Sequence, residues 1–249
     1  MKKTILAFVL LLFFFNQQLS AQVKTKEHLS QVWIGYFNQT RLSDKWGTWT
    51  DIHLRTRDNF TNKFFQSAFR VGLTYYLHDN ARVTAGYTYF SHYGSGAAKN
   101  ITQPEHRPWQ QFQWQTRYGK KLLVQRMRLE ERYRRKIVND SALGTGYNFN
   151  FRARYNLSLQ VPLNRRGSVA KTFSFITSDE ILINFGKEII NNYFDQNRFF
   201  AGFAYHTTAT DNLQVGYMNT FQQQPSGNRY RVINALRIFY FHNLDLRKH

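Results

Sequence analysis

Residues Leu122–Arg134 read LLVQRMRLEERYR, and the alternation of their side chains decides the fold. Taken two residues at a time, one side of the segment carries Val124, Arg126, Arg128, Glu130, Arg132 and Arg134, and the other carries Leu123, Gln125, Met127, Leu129, Glu131 and Tyr133. The composition also suits a helix, because Leu, Arg, Gln, Met and Glu are good helix formers. The segment alone fits either structure, so its neighbours must decide.

Long segments on both sides alternate in the same way, with apolar or aromatic residues on one side and arginine or amide residues on the other. Such a period of two predicts β-strands. We predict eleven of them: Gln31–Thr40, Gly47–Arg57, Phe64–Leu77, Ala81–His92, Arg107–Tyr118, Leu122–Arg134, Tyr147–Val161, Thr172–Phe185, Asp195–Thr207, Leu213–Gln222 and Tyr230–Phe241.

These segments are long for strands of a globular protein, which average about five or six residues, and they suit tilted membrane strands of about nine to eleven. The predicted fold is therefore all-β, a transmembrane antiparallel up-and-down β-barrel with a polar inside. Bacterial single-chain barrels normally have an even strand number, so we expect about twelve strands, with ten as the alternative. The missing strand would lie at Gln22–Gln31. Asp179, Asn219 and Asn234 fall on the lipid side, which predicts bulges or register slips there.

The chain has 249 residues, no cysteine and 17% aromatic residues. Its length suits one domain, and its mean hydropathy of −0.55 is no argument against a barrel, because only every second residue faces lipid. Residues 1–21 resemble a secretory signal peptide, with Lys2 and Lys3, an apolar core at Ile5–Phe15 and small residues before Ala21. We expect residues 22–249 to form the barrel domain of an outer membrane protein.

The polar side of the predicted strands is rich in arginine. Thirteen arginines face three acids: Arg55, Arg57, Arg70, Arg82, Arg117, Arg126, Arg128, Arg132, Arg134, Arg152, Arg154, Arg198 and Arg237 against Asp51, Glu130 and Glu180. Guanidinium groups bind carboxylates and phosphates in a fork geometry, so we predict an anion-favouring lumen. The alternative is a structural ladder that fills a narrow barrel. The predicted number of about twelve strands does not decide between an anion-favouring lumen and a filled barrel, because about eight strands give a filled interior and about sixteen give a channel.

Other candidate sites carry weaker signals. Glu105, His106, Arg107 and Trp109 are predicted at a junction between a loop and a strand, either as an acid, base and anchor or as a structural rim. A lipid hydrolase embedded in the barrel is the alternative function, and no spacing selects its residues among His53, His92, Ser91, Ser174 and Ser178. No histidine cluster has metal-ligand spacing, so neither a metal nor a cofactor is predicted.

The net charge is +19 for the full chain and +17 after residue 21. Nucleic acid is not a predicted partner, because the signal peptide exports the chain and the arginines alternate with lipid-suited residues. We expect basic loop residues to meet anionic lipid or lipopolysaccharide phosphates, or simply solvent: Arg135, Lys136, Arg165, Arg166 and Lys187. A periplasmic β-sandwich is a third possibility. The oligomeric state stays open.

The segment PEHRPWQQF at residues 104–112 resembles a family of Gram-negative envelope proteins common in Bacteroidota, domain of unknown function 2490. Further matching pieces are Arg126, Arg128, Leu129, Glu130 and Arg132; Arg152, Arg154 and Tyr155; Glu180 and Asn184; Asp195–Arg198; and Gly216–Met218. The resemblance implies an outer-membrane barrel of unassigned activity and supplies no catalytic residues. The barrel assembly machinery is an expected partner, although the aromatic residues Phe239–Phe241 are followed by eight more.

Overall fold

The computed structural model describes residues 24–58, 62–94, 101–139 and 141–247, and these residues form an all-β fold. The predicted signal peptide lies outside the described residues. The eleven strands are β1 (Thr25–Arg41), β2 (Trp46–Asp58), β3 (Asn62–His78), β4 (Ala81–Tyr93), β5 (Thr102–Tyr118), β6 (Lys121–Ile137), β7 (Leu143–Pro162), β8 (Thr172–Phe185), β9 (Phe194–His206), β10 (Asn212–Gln223) and β11 (Arg229–Asp245).

The strands form one closed barrel in which each strand pairs antiparallel with the next along the chain. The barrel closes between β1 and β11, and this pair is parallel, from Thr25 opposite Arg229 to Arg41 opposite Asp245. An odd number of alternating strands requires this, because the first and last then run in the same direction. The confirmed fold is therefore a closed up-and-down barrel of the eleven strands counted in the sequence.

The expected twelfth strand is not present among the described residues. The segment proposed for it, Gln22–Gln31, overlaps β1, which already begins at Thr25. The parallel closure removes the reason for expecting an even number, because both edge strands are paired along their length.

The alternating segment Leu122–Arg134 lies within β6 and is a strand over its whole length. Arg128, Glu130 and Arg132 are buried inside, whereas Met127 and Leu129 are exposed outside. The hydrogen bonds of this segment go to β5 and β7, so the helix interpretation is excluded. Local helix propensity is overridden here by pairing on both sides.

The outer wall of the barrel is covered with exposed apolar side chains. They come from strands around the circumference and include Ile34, Ile52, Phe69, Leu73, Val83, Phe112, Met127, Leu129, Leu157, Ile181, Phe199, Phe203, Val215 and Leu236. A water-soluble protein rarely exposes a continuous apolar surface of this size. An apolar outside with a charged inside is the arrangement of a barrel that crosses a lipid bilayer. No helix among the described residues has the length and apolarity needed to cross a membrane.

Aromatic pairs lie toward both ends of this wall. The end with the turns after β1 and β7 carries Trp46 with Tyr75 and Phe173 with Tyr205, each pair with ring centres 5.0 Å apart. The opposite end carries Phe221 stacked on Tyr230 at 5.1 Å. Aromatic girdles of this kind mark the two interfaces of a membrane barrel.

The prediction of bulges at Asp179, Asn219 and Asn234 is wrong. All three lie in regular ladders on the outer side, and polar groups of the next strand satisfy them. The amide of Asn197 donates to Asp179 at 2.9 and 3.0 Å, and Asn219 donates to Asn234 at 3.0 Å. Hydrogen bonding across strands, and not a shift of register, therefore accommodates these residues.

The buried apolar core lies inside the barrel, and most of its residues come from β9–β11, β1 and β2, with Trp109 from β5 and Ile176 from β8. It consists of Trp33, Phe37, Trp49, Trp109, Ile176, Phe200, Ala204, Met218, Ile233, Ala235 and Phe239. Within the described part of the chain no second sheet packs on this one, since all eleven strands belong to a single closed sheet. The β-sandwich alternative is therefore wrong.

Candidate functional site

The polar side of the predicted strands lies inside the barrel. The predicted lumen residues that line its cavity are Arg55, Arg70, Arg82, Arg117, Arg126, Arg128, Arg132, Arg134, Arg152, Arg154, Glu180, Arg198 and Arg237. Glu130 and Asp51 also point inward, but they are buried beneath the arginines, with exposures of 1% and 0%. The anion-binding role assigned to these residues stays a prediction.

Glu105 anchors one end of an ion-pair network on the inner wall. It is fully buried and accepts hydrogen bonds from Nε of Arg107 at 3.0 Å and from Nε of Arg132 and Arg134 at 2.9 Å each. Nε2 of His92 on β4 donates to the same carboxylate at 2.9 Å. A buried carboxylate is stable only with several such partners, and this one links β4, β5 and β6.

Glu130 is the next junction of the network. Its oxygens accept from Nη2 of Arg152 at 2.6 Å, Nη1 of Arg154 at 2.7 Å and Nη1 of Arg107 at 3.1 Å. Arg107 therefore bridges the carboxylates of Glu105 and Glu130. Each acid is shared by several arginines, so the network as a whole keeps a positive charge.

The network continues to Glu180 on β8 and Asp195 on β9. Glu180 accepts from Nη2 of Arg126 at 2.6 Å and from Nη2 of Arg154 at 2.8 Å, and Asp195 accepts from Nη1 of Arg152 at 2.8 Å. Asp195 lies where the register between β8 and β9 shifts, a bulge that leaves it without a partner across the ladder. A bulge re-aims a side chain, and here both Asp195 and Gln196 are buried.

A second, smaller ion pair joins the neighbouring strands β2 and β3. Nη1 of Arg70 donates to the buried Asp51 at 2.7 and 2.9 Å. Five other arginines on the lumen side have no carboxylate within salt-bridge distance among the described residues: Arg55, Arg57, Arg82, Arg117 and Arg237. They provide the unneutralised charge of the interior.

The four predicted rim residues do not lie in a loop. Strand β5 begins at Thr102, so Glu105, His106, Arg107 and Trp109 are all inside it. Glu105, Arg107 and Trp109 are buried in the lumen, whereas His106 points outward, where Tyr87 hydrogen-bonds it. An acid and a base on opposite faces of a strand cannot act together, so this placement contradicts the acid and base interpretation.

The network surrounds a cavity of about 1400 Å³ that follows the lumen and contacts residues at both ends of the barrel. Its lining contains fifteen arginines and Lys120 but three carboxylates, those of Glu180, Glu188 and Asp195. The other acids of the network are covered by the arginines that bind them. The surface that a solute would meet is therefore strongly cationic.

Ser174 and His206 form a further polar pair at the end of the lumen where β8 begins. Ser174 Oγ lies 2.9 Å from Nε2 of His206, and both side chains are buried. Sequence reasoning named Ser174 but missed His206, and pairing of Thr172 with His206 in the ladder is what brings them together. No carboxylate contacts His206 among the described residues. Among all the residues that the structure describes, no group of three or more His, Cys, Asp or Glu side chains could hold a metal ion.

The basic loop residues lie beyond or at the ends of strands, on both ends of the barrel. Arg165 and Arg166 are in the connection between β7 and β8, and Lys187 is in the connection between β8 and β9. In the turn between β3 and β4, a hydrogen bond from Arg41 at 2.8 Å lowers the pKa of Asp79 below its usual range.

Comparison with known proteins gives one family and one solved structure. The structure is that of the NanC porin in a rhombohedral crystal form, with 15% sequence identity, a TM-score of 0.44, and coverage of 80% of this chain and 91% of that one. No curated protein matches the chain. The model of the family described as "Protein of unknown function (DUF2490)" matches residues 30–231. That match covers most of the 249 residues, which confirms the resemblance noted in the sequence. The chain belongs to this family.

Proposed function

We propose that the protein is an outer-membrane β-barrel that acts as a small pore favouring anions. The cationic lining of the cavity carries the proposal: sixteen basic side chains against three carboxylates. A lumen lined by one sign of charge concentrates counter-ions and repels ions of its own sign. Rings of arginine at a narrow point select anions by the same field.

The extent of the cavity supports a permeable lumen over a filled one. Residues of the turn between β5 and β6 and residues of the connection between β10 and β11 line the same cavity. These two connections lie at opposite ends of the barrel, so the cavity reaches along its length. The apolar core occupies one side of the interior and leaves this space beside the charged wall.

The outer wall supports an outer-membrane location. A closed barrel with an apolar belt and two aromatic girdles satisfies all backbone hydrogen bonds within lipid. The predicted signal peptide at residues 1–21 supports export. Lipopolysaccharide phosphates would then meet the basic residues of one end, and the barrel assembly machinery would insert the chain.

Planar bilayer recordings of the purified full chain test the pore. With a salt gradient of potassium chloride across the bilayer, stepwise currents should appear, and their reversal potential should show preference for chloride. The cationic lining explains the preference for chloride, because the arginines attract chloride ions and repel potassium ions. Absence of current, or a cation preference, contradicts the proposal.

One observation favours a second candidate, an enzyme embedded in the barrel that hydrolyses membrane lipid. Ser174 Oγ and Nε2 of His206 have the separation of a nucleophile and its base. Cells that overproduce the protein should then show a changed lipid profile, and Ser174→Ala should restore the normal profile. The matched control Ser178→Ala changes another lumen serine of β8 and should restore nothing. A silent bilayer with an unchanged profile contradicts both candidates.

A further inference from the structure

Closure of the barrel brings two arginines to either side of one tryptophan. Trp33 on β1 lies opposite Arg55 on β2 and opposite Arg237 on β11, and all three line the cavity. Adjacent strands are about 4.8 Å apart, so the two arginine backbones are separated by roughly 10 Å. Both side chains line the same cavity, so both are accessible to a solute within it.

Both guanidinium groups are held against aromatic rings and not in salt bridges. Cζ of Arg55 lies 3.7 Å from the centre of the Trp33 ring, and Cζ of Arg237 lies 3.3 Å from that of Phe200. Stacking on a ring face uses the plane of the guanidinium and leaves the N–H groups at its edge for hydrogen bonds. The aromatic rings therefore orient the two arginines without neutralising them.

The Nε groups of the two arginines lack acceptors among the described residues. Nε of Arg55 and Nε of Arg237 are buried and have no hydrogen-bond partner among the residues that the structure describes. Arg237 donates from Nη2 to Gln214 at 2.7 Å, and no hydrogen bond from Arg55 to a described residue is formed. A buried donor without an acceptor is energetically unfavourable. A ligand that supplied an acceptor would therefore stabilise the barrel.

The surroundings of Arg55 are also cationic. Arg198 lies 5.4 Å from the same Trp33 ring and is 3.4 Å from Glu180, a carboxylate that Arg126 and Arg154 already occupy at shorter distances. Glu180 is therefore already paired with other arginines. The excess positive charge on this wall is available to a mobile anion.

We propose that Arg55, Trp33 and Arg237 form a binding site for the carboxylate or phosphate group of a small solute. A guanidinium fork offers two parallel N–H groups to two oxygens of such an anion, which a spherical chloride ion cannot match. The inference names the ligand class of the proposed pore and rests on that function for the route of the solute. Binding itself requires only the folded barrel, so it is measured apart from conductance.

Titration of the full chain in detergent tests the site, with sodium acetate and inorganic phosphate as probes. Ionic strength is held constant with sodium chloride, and tryptophan fluorescence is recorded. The contribution of Trp33 is identified by comparison with the Trp33→Phe variant. Saturable changes are expected for both probes. A response that only follows ionic strength, or one that Trp33→Phe leaves unchanged, overturns the site.

Charge-matched variants separate a site from a general field. Arg55→Gln and Arg237→Gln should each raise the apparent Kd for acetate and phosphate tenfold or more. Arg117→Gln removes the same charge from another lumen arginine without a carboxylate partner, and should change the Kd less than twofold. Equal effects of the three variants would overturn the proposal, because a field alone predicts them.

Arg55→Lys keeps the charge and removes the fork, so it should weaken binding of both probes as Arg55→Gln does. Unchanged binding in this variant overturns the site. Heat-modifiable gel mobility verifies that each variant is folded. Anion conductance without saturable binding refutes the binding site but not the pore. Saturable binding by a protein that carries no current refutes the pore but not the binding site.

Discussion

Glu130 on β6 and Arg152 on β7 lie directly opposite each other, and Nη2 and Nε of Arg152 donate to one Glu130 oxygen at 2.6 and 2.9 Å. Glu130 is 1% exposed and also accepts from Arg107 and Arg154. One carboxylate of β6 therefore holds three arginines of the two neighbouring strands, β5 and β7, and the shape of the lumen depends on it.

Replacing Glu130 with Gln should lower the free energy of unfolding by about 3–5 kcal/mol, because it leaves buried guanidinium groups without their anion. Urea unfolding of the barrel in detergent measures this loss. Glu131→Gln is the matched control, since Glu131 is on the outer side of the same strand and accepts one hydrogen bond, from Gln110 at 3.3 Å. Equal stability of the two variants would contradict the role of Glu130 as a junction.

Gly86→Ala should destabilise the barrel by about 1–3 kcal/mol, since it overpacks the lumen under Trp109. A Cβ atom at Gly86 would lie 2.6 Å from Cζ2 of that ring, which is 1% exposed and has little room to move. The neighbouring Ala85 is exposed on the outer face, so Ala85→Val provides the control and should unfold at the urea concentration of the unsubstituted protein. A Gly86→Ala barrel of full stability would show that Trp109 is not fixed in place.

Cysteines at Ile34 and Ile238 should cross-link with a short bifunctional thiol reagent. The two residues are register partners in the parallel pair β1–β11, and the natural sequence contains no cysteine that would react instead. A faster-migrating band on a denaturing gel reports the closed covalent loop. The pair Ile34 and Ile183 is the control, because β8 is not adjacent to β1. Failure to link Ile34 to Ile238 would indicate that another strand separates β1 from β11.

The apolar outer wall predicts that the protein stays in solution only with detergent or lipid. A barrel with every strand paired resists unfolding in cold dodecyl sulfate, so the unheated protein should migrate differently from the boiled one. Substituting Leu73, which is 53% exposed, with Asp should reduce insertion into vesicles, because a carboxylate would then face lipid. Recovery of the natural protein as a soluble species without detergent would contradict the membrane assignment.

The alternation along each strand was available from the sequence because it is a local property. Side chains of a strand point to opposite faces in turn, so once its neighbours identify the run from Val124 to Arg134 as a strand, Arg128 and Glu130 are assigned to the inside. The outward Leu129 follows from the same rule. Fold class, most strand positions and the arginine lining were predictable for this reason.

The start of β5 was predicted too late, at Arg107, whereas the strand begins at Thr102. Proline lacks the N–H that a ladder requires, so Pro104 and Pro108 give no sequence signal for a strand. Both prolines nevertheless lie in the strand, and the ladder between β5 and β6 shows no pairing at Arg107 and Pro108. The neighbouring strands compensate for these gaps, which moved Glu105 and Arg107 from a supposed rim into the lumen.

Sequence alone determined which residues face lipid and which face the lumen, because that depends only on the period of the chain. Tertiary structure alone decided which carboxylate holds which arginine, that Asp195 turns inward at a bulge, and that Trp33 lies between Arg55 and Arg237. These relationships depend on register between strands and on parallel closure across 204 residues from Thr25 to Arg229. Pairings between distant parts of a chain leave no periodic trace in it, so only the closed barrel reveals them.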